Sequence, residues 1–292
     1  MNDLLDEMAV VITGSGRGLG RAYALAAAAE GAAVVVNDLD VDTAEAVVAE
    51  ITEAGGRAVV SGHDVSDWDA AAELIGLCVE SFGRIDGLVN NAGILRVNRP
   101  EEQTERDTLD VVNSSLLGTV ACSTHALRHM CEAGRGVIVN VTSGQQMGAP
   151  VMAVYGAAKA AVATLTYSWS QDLQASGVRV NAISPNAHTR MADVYEEFLG
   201  TRATGQNVGI EPESNAPLVI YLLSELSEGV SGQVFRFDGQ RLMVCAHPTV
   251  IAPDAYLPEG RTARDVAAVV AGELAGLFQP SGIRRISAPM FQ

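Results

Sequence analysis

The stretch that decides the fold is Met8-Ala9-Val10-Val11-Ile12-Thr13-Gly14-Ser15-Gly16-Arg17-Gly18-Leu19-Gly20. A short apolar run leads into a loop with four glycines, and an alanine-rich segment with helical composition follows. Glycines let the backbone turn tightly and approach a pyrophosphate, which the positive end of a helix attracts. The spacing Gly-x-x-x-Gly-x-Gly differs from the plain dinucleotide fingerprint, and an ordinary tight turn also uses glycine. Its place between a predicted strand and a predicted helix favours a dinucleotide site.

An acidic residue about twenty positions later supports this interpretation. Asp38 ends the apolar run Val34-Val35-Val36-Asn37. A carboxylate at this place accepts hydrogen bonds from the adenosine 2′-hydroxyl and repels the 2′-phosphate of NADP. Arg17 in the loop favours NADP instead, because a basic side chain there can bind the 2′-phosphate. Asp38 has more weight, since it would meet the discriminating group directly, and the sequence therefore predicts NAD as the cofactor.

Short apolar runs alternate with segments of helical periodicity through most of the chain. Strands are predicted at 8–13, 33–38, 57–62, 86–90, 136–142, 178–183 and 233–237. Helices are predicted near 19–30, 42–55, 67–82, 101–131, 152–176 and 212–226. Several strands are apolar throughout, which is typical of a parallel sheet covered on both faces. The pattern predicts an α/β fold, a doubly wound, mostly seven-stranded parallel sheet of Rossmann type in a single domain, residues 1–244.

Two segments fall outside the alternation. Residues 190–211 are polar and contain glycine, and we expect a substrate loop of the 1–244 domain that closes over a ligand. Residues 245–292 are predicted to be a C-terminal extension with one helix, which begins at the capping sequence Thr262-Ala263-Arg264-Asp265. The apolar stripe of that helix would dock on its own domain or on another subunit.

Composition and charge exclude several classes of function. The chain has 19 basic and 35 acidic residues, a net charge of −16, which repels nucleic acid and anionic membranes.

The four cysteines show no metal-ligand spacing and no disulfide framework, and His125 and His129 lack a third ligand. Acidic residues stand at the N-terminus where a signal peptide has bases, and no apolar run approaches about 20 residues. We expect a cytoplasmic protein without a metal, whose partner is a small molecule.

Of the 19 lysines and arginines, only Lys159 is a lysine, and it follows Tyr155 by four positions. On a helix, positions i and i+4 share one face, so the ammonium would stand beside the phenol and favour its ionised form. A free tyrosine titrates near ~10, so proton transfer near neutrality requires a drop of about 3 units. Ser143 ends a predicted strand at the edge where parallel sheets bind ligands. The three residues together predict a proton-transfer site.

These features resemble the short-chain dehydrogenase/reductase family over nearly the whole chain, to about residue 243. The matching pieces are Thr13-Gly14-x-x-x-Gly18-x-Gly20, Asp64-Val65, Asn90-Asn91-Ala92-Gly93, Ser143, Tyr155-x-x-x-Lys159, Asn181 and Asp238-Gly239. Segments 20–26, 36–39, 91–96 and 184–187 resemble the 3-hydroxyacyl-CoA dehydrogenase domains of multifunctional β-oxidation enzymes. The resemblance implies an oxidoreductase that transfers a hydride between NAD(H) and a secondary alcohol or ketone.

The resemblance also implies a role for each matched residue. Tyr155 would be the general acid/base, Lys159 would hold the nicotinamide ribose and lower the tyrosine pKa, and Ser143 would hydrogen-bond the substrate oxygen. The cofactor would be bound by Gly14, Ser15, Arg17, Gly18, Leu19, Gly20, Asp38, Asp64, Val65, Asn91, Ala92, Gly93, Tyr155, Lys159, Pro185 and Thr189. By analogy with the family, the long helices 101–131 and 152–176 would pair across a two-fold axis to give a homodimer or homotetramer.

One position departs from the family pattern. The family's catalytic asparagine, three residues before Gly118, is Ser115 in this chain, and Asn113 should point elsewhere on the helix. The departure leaves a second interpretation open, a regulatory or structural protein that binds a dinucleotide with weak catalysis. The complete serine, tyrosine and lysine set favours the enzyme.

Two substrate classes also stay open at this point. An acyl-CoA thioester carries phosphates and needs basic residues at the mouth, for which the candidates are Arg96, Arg99, Arg190 and Arg202. A steroid or alicyclic alcohol needs only an apolar cleft, which could be formed by Met147, Val151, Met152 and the 190–211 segment.

Overall fold

The computed structural model describes residues 4–200, 210–237, 241–249 and 262–278. The chain divides into two compact units, Met1–Cys245 and Ala246–Gln292. Residues 201–209 of the predicted substrate loop, with Arg202, and the Asp238-Gly239 pair lie outside the described residues.

The first unit is built on one eight-stranded sheet with the order β3-β2-β1-β4-β5-β6-β7-β8. The strands are β1 Ala9–Thr13, β2 Ala33–Asn37, β3 Arg57–Ser61, β4 Gly87–Asn90, β5 Gly136–Val141, β6 Val178–Ser184, β7 Val234–Phe237 and β8 Leu242–Val244. The first seven pair in parallel, and β8 pairs antiparallel with β7. The predicted doubly wound fold is confirmed, with an eighth strand at the edge. The carboxyl ends of β1 and β4 meet where the strand order reverses, which is the usual ligand site of such sheets.

Helices cover both faces of the sheet. In the first unit they are α1 Gly18–Ala29, α2 Val41–Glu53, α3 Trp68–Phe82, α4 Glu105–Val112, α5 Gly118–Ala133, α6 Ala153–Asp172, α7 Arg190–Leu199 and α8 Ala216–Leu223. One core lies between the sheet and α1, α2 and α8, and a second lies between the sheet and α3 and α5. Because both faces are covered, β1, β2, β4 and β5 are buried at every position.

The helix expected near 101–131 runs from Glu105 to Ala133 and contains a π-helical turn. After α4 the backbone forms a π-helical turn, Asn113–Leu117, and α5 begins at Gly118. A Cβ added at Gly118 would lie 2.9 Å from Val65 Cγ2, so this glycine lets the helix lie directly against the segment after β3. The predicted helix is therefore confirmed, with a start at Glu105 and a π-helical turn that the apolar pattern did not indicate.

The segment 190–211 was expected to be a loop but begins with helix α7. Met191 and Tyr195, one helical turn apart, pack against an apolar cluster that includes Tyr155. Tertiary burial of these two side chains therefore stabilises a helix in a stretch whose composition is polar.

The second unit begins after Cys245, and its described part contains one helical segment. The capping box predicted at Thr262 is present, with Thr262 and Asp265 each accepting a hydrogen bond from the other's backbone N–H. Helix α9, Ala263–Val269, follows this cap and continues as a π-helical turn to Leu274. Within the four described ranges, no helix is both long and apolar enough to cross a membrane.

Candidate active site

The loop between β1 and α1 forms an open cradle at the helix N-terminus. Gly14 and Gly18 have φ values of 62° and 54°, which favour glycine. A Cβ on Gly20 would lie 2.2 Å from the Gly14 carbonyl oxygen, so no larger residue fits there. A Cβ on Gly18 would find no heavy atom closer than Thr189 Cγ2 at 3.9 Å. The space between Gly18 and Thr189, next to free helical N–H groups, has the properties that a pyrophosphate requires.

The carboxylate of Asp38 is held at the other end of this cradle. One oxygen accepts a hydrogen bond from Gly16 N at 3.0 Å, and the other accepts one from Asp40 N at 3.1 Å. Each oxygen keeps further lone pairs for the hydroxyl groups of a ribose. Arg17, which the sequence suggested as a phosphate ligand, forms an ion pair with Asp40. The positive charge beside the ribose position is therefore compensated.

Residues after β3 and β4 support the same cradle. Asn91 Nδ2 donates to the carbonyl oxygens of Thr13 and Gly14, both at 2.9 Å, and fastens the end of β4 to the glycine loop. Asp64 accepts hydrogen bonds from the backbone N–H and hydroxyl of Ser66, which shape the turn where an adenine would lie. Asn91 is thus joined directly to the glycine loop, whereas Asp64 follows β3 at the same edge of the sheet.

Ser143, Tyr155 and Lys159 come together at the carboxyl end of β5. Ser143 follows β5, whereas Tyr155 and Lys159 lie one turn apart on α6 and are 7% and 3% exposed. Lys159 Nζ donates a hydrogen bond to Val141 O at 2.8 Å and lies 5.9 Å from the centre of the Tyr155 ring. The i, i+4 spacing therefore places both groups on the buried face of α6, as the sequence predicted.

Burial acts against the acidic phenol that the sequence predicts. Burial raises the pKa of Tyr155, and hydrogen bonding with Ser143 opposes this rise only in part. Burial also lowers the pKa of Lys159 to about 8, because removal of the ammonium from water disfavours its charged form. The i, i+4 spacing predicts that the amine lies near the phenol, but it does not predict how far burial removes both groups from water.

Two side chains that contact the hydroxyls of Ser143 and Tyr155 were missed at the sequence level. The Ser143 hydroxyl donates a hydrogen bond to Gln145 Oε1, and Tyr155 Oη contacts Met191 Sδ at 3.9 Å. The apolar cluster around Tyr155 contains Ile94, Leu95, Val97, Val111, Leu116, Ala149, Met152, Val154, Ala158, Met191 and Tyr195. Of the proposed cleft residues, Met152 belongs to this cluster, whereas Met147 packs in another one with Cys245. The i, i+4 spacing of Met191 and Tyr195 was the available signal.

The arginines proposed for an acyl-CoA differ in their surroundings. Arg96 forms ion pairs with Asp107 at 3.3 Å and with Asp110 at 3.0 Å. Arg99 and Arg190 have no ion pair with any residue placed by the structure. The charge of Arg96 is thus already balanced twice, which weakens it as a phosphate ligand.

Ser115 occupies an enclosed position beside the amine. Its side chain is fully buried, and its hydroxyl has no hydrogen-bond partner within the described part of the chain. A Cβ added at Gly93 would lie 2.8 Å from Ser115 Oγ and 3.5 Å from Lys159 Nζ. Ser115 and Lys159 therefore both lie close to Gly93, where a larger residue would not fit. The π-helical turn after α4 directs Ser115 to this place.

Comparison with known proteins identifies close relatives. The short chain dehydrogenase family model matches residues 8–198. The chain is 37% identical over 245 residues to a cis-4-hydroxycyclohexanecarboxylate dehydrogenase of Sinomonas cyclohexanicum, covering 82% of this chain and 98% of that protein. It is 35% identical over 236 residues to subunit BbsD of a hydroxy(phenyl)methylsuccinyl-CoA dehydrogenase of Thauera aromatica, covering 79% and 95%. The crystal structure of a short chain dehydrogenase from Mycobacterium avium matches with a TM-score of 0.84 and 38% identity, covering 95% and 98%.

Proposed function

The chain belongs to the short-chain dehydrogenase family, and we propose that it is an NAD-dependent dehydrogenase whose secondary alcohol lies on an apolar, alicyclic or steroid-like skeleton. The observation that carries this proposal is the grouping of Ser143, Tyr155 and Lys159 beneath an apolar cluster at the edge of the sheet. A polar proton-transfer site with apolar surroundings suits a carbinol on a hydrocarbon frame.

The proposed mechanism uses the residues of this site as follows. A nicotinamide dinucleotide held by the glycine loop would supply the hydride acceptor for the carbinol carbon. The substrate hydroxyl lies between Ser143 and Tyr155, and its proton passes to the Tyr155 oxygen. The Lys159 ammonium favours the phenolate that this transfer requires. The apolar cluster keeps water from the reacting atoms and strengthens these interactions. For ketone reduction the proton returns from Tyr155 to the substrate oxygen.

The choice of NAD rests on Asp38. Its carboxylate would accept hydrogen bonds from the ribose hydroxyls, and it would repel the additional phosphate of NADP. The ion pair between Arg17 and Asp40 supports this choice, because the Arg17 guanidinium is already neutralised by Asp40 and binds an additional phosphate less well. The residues proposed to hold the cofactor are the glycine loop, Asp64 and Val65, Asn91 to Gly93, Lys159, Pro185 and Thr189.

The apolar alcohol is preferred over an acyl-CoA because Arg96 is engaged by Asp107 and Asp110. Steady-state turnover of alicyclic alcohols and of 3-hydroxyacyl-CoA thioesters distinguishes the two classes. We expect kcat/KM to be higher for the alicyclic alcohols, and the double variant Arg96→Ala/Arg99→Ala should leave their KM unchanged. The acyl-CoA class would instead be established by two results together. The parent would have a higher kcat/KM for the CoA thioesters than for the alicyclic alcohols, and the double variant would have a raised KM for the CoA thioesters alone.

The proposal as a whole is tested by incubating the protein with NAD and a panel of secondary alcohols and following the absorbance of the reduced cofactor. Turnover in the parent and none in Tyr155→Phe is the expected result. Tight NAD binding without turnover of any alcohol would favour the dinucleotide-binding protein that Ser115 brought into consideration.

We also propose that the protein is a homodimer or homotetramer. Leu109 on α4 and Leu117 beside α5 are 48% and 47% exposed, on the segment predicted to pair with a second copy. Sedimentation velocity measures the oligomeric state, and a monomer at all accessible concentrations would contradict the proposal.

A further inference from the structure

The one hydroxyl proton of Ser143 is held in a hydrogen bond by the side chain of a nearby glutamine. Ser143 donates it to Gln145 Oε1, two residues along the chain. Gln145 lies in a 3-10 helical turn, Gly144–Met147, that leads away from β5. A Cβ added at Gly156 would lie 2.6 Å from the Gln145 carbonyl oxygen, so α6 holds this turn closely. The amide is therefore placed by the fold beside the residue that follows β5.

A hydroxyl group has one proton and two lone pairs. While the Ser143 proton points to Gln145, the serine oxygen can only accept a hydrogen bond from Tyr155. This arrangement suits the neutral phenol, which donates. It does not suit the phenolate, which needs a donor. Gln145 and ionised Tyr155 thus compete for the same proton.

We propose that Gln145 is a positioning residue that sets the direction of the Ser143 hydroxyl and, through it, the pH at which Tyr155 becomes a base. The inference deepens the proposed dehydrogenase function and rests on it. When the Tyr155 proton leaves to solvent, the Ser143 hydroxyl turns, its hydrogen bond to Gln145 Oε1 breaks and one to Tyr155 Oη forms. Ionisation of Tyr155 therefore costs one hydrogen bond to Gln145, unless the amide turns and donates through Nε2.

The competition between Gln145 and Tyr155 for the Ser143 proton can be measured separately from the effects of the other groups around the phenol. Ser143 acts against the rise in the pKa of Tyr155 that burial causes, and the phenol hydroxyl donates to Met191 Sδ at 3.9 Å. The titratable and charged groups on the elements packed around Tyr155 are Lys159, Tyr167 and Asp172 on α6, Tyr195 with Arg190, Asp193, Glu196 and Glu197 on α7, Arg96 and Arg99 in the 94–99 segment, and Glu105, Arg106, Asp107 and Asp110 on α4. A neutral substitution at Gln145 changes the charge of none of them.

The test is the pH profile of kcat/KM for alcohol oxidation, whose acidic limb reports ionisation of the coupled Tyr155–Lys159 pair. Gln145→Met keeps the length of the side chain but has no strong acceptor. We expect its acidic limb to move down by about one pH unit, since a hydrogen bond to an ionised group is the stronger one. Gln145→Glu holds the proton more firmly and adds a negative charge, so its limb should move up.

The matched control is Gln146→Met. This residue lies in the same turn, and its side-chain oxygen has no hydrogen-bond partner in the described structure. Its pH profile should coincide with that of the parent. If the Gln146→Met limb moves as far as that of Gln145→Met, the turn as a whole is responsible and the proposal is overturned.

A second readout does not depend on turnover. The absorbance of tyrosinate is titrated in the parent and in Gln145→Met, each corrected by the corresponding protein with Tyr155→Phe. The proposal predicts ionisation of Tyr155 at lower pH in Gln145→Met, and an unchanged or higher midpoint overturns it. Absence of turnover with any alcohol would defeat the proposed function alone, because this titration still decides the role of Gln145.

Discussion

The cofactor side and the substrate side of the crevice are built differently. On the cofactor side, hydrogen bonds to the backbone fix the geometry, as between Asn91 and the glycine loop or between Asp38 and Gly16. On the substrate side, the phenol of Tyr155 meets apolar side chains, and its contact with α7 is to the sulfur of Met191. The same cofactor would serve every substrate, so a rigid backbone suits it. Alcohols vary, so exchangeable side chains suit them. Substitutions on the cofactor side should therefore weaken cofactor binding, whereas substitutions on the substrate side should change which alcohols are oxidised.

Gly20→Ala is the change with the largest expected effect. The added methyl group would lie 2.2 Å from the Gly14 carbonyl oxygen and 2.8 Å from Ser15 Cα, and backbone atoms cannot move aside like a flexible side chain. We expect NAD affinity to fall by at least about 100-fold, with a loss of stability of about 3 kcal/mol, measured by calorimetric titration and thermal unfolding.

Gly76→Ala is the matched control, because an added Cβ there meets nothing within 4 Å in the middle of α3. It should stabilise the protein by about 0.5–1 kcal/mol and leave NAD binding as it is. Equal NAD affinity of Gly20→Ala and the parent would refute the assignment of the rigid cradle.

Asp38→Asn sharpens the cofactor half of the comparison. The variant keeps one hydrogen-bond acceptor but loses the charge that would repel a 2′-phosphate. We expect the ratio of kcat/KM for NAD to that for NADP to fall by at least about tenfold. A parent enzyme that prefers NADP would show that Asp38 does not select the cofactor.

Lys159→Met tests the burial of the amine by its effect on folding. The folded pKa of about 8 lies below the usual value of 10.5, so a buried ammonium opposes folding at neutral pH. The stability of the parent should therefore rise from about pH 8 to about pH 10, by up to about 3 kcal/mol relative to the variant. Denaturant unfolding of both proteins across this range measures the difference, and parallel curves would contradict the lowered pKa.

Met191→Ala should have the smallest effect and act only on the substrate side. Removing the side chain opens space above Tyr155 Oη, where the two atoms are now 3.9 Å apart. We expect KM for a small alicyclic alcohol to rise by about two- to tenfold and NAD affinity to stay constant. If NAD affinity falls by the same factor as alcohol affinity, the two sides of the crevice are not independent.

The sequence predicted the parts of this structure that periodicity and spacing encode. The seven parallel strands, the open cradle and the alignment of Tyr155 with Lys159 follow from apolar runs, glycine spacing and helical geometry. Strand β8 is only three residues long and partly exposed, so it leaves no such pattern. The close approach of Gly118 to Val65 joins residues that only the folded chain brings together. The hydrogen bond of Ser143 to Gln145 and the burial of Lys159 depend on neighbours that no local pattern specifies.

The central claim is that a buried tyrosine transfers the proton of a secondary alcohol. Its most direct test is alcohol oxidation by Tyr155→Phe, because phenylalanine fills the same apolar space and removes only the phenolic oxygen. The account predicts that kcat falls by at least about 1,000-fold while thermal stability and NAD affinity remain those of the parent. Oxidation by the variant within about tenfold of the parental rate would contradict it.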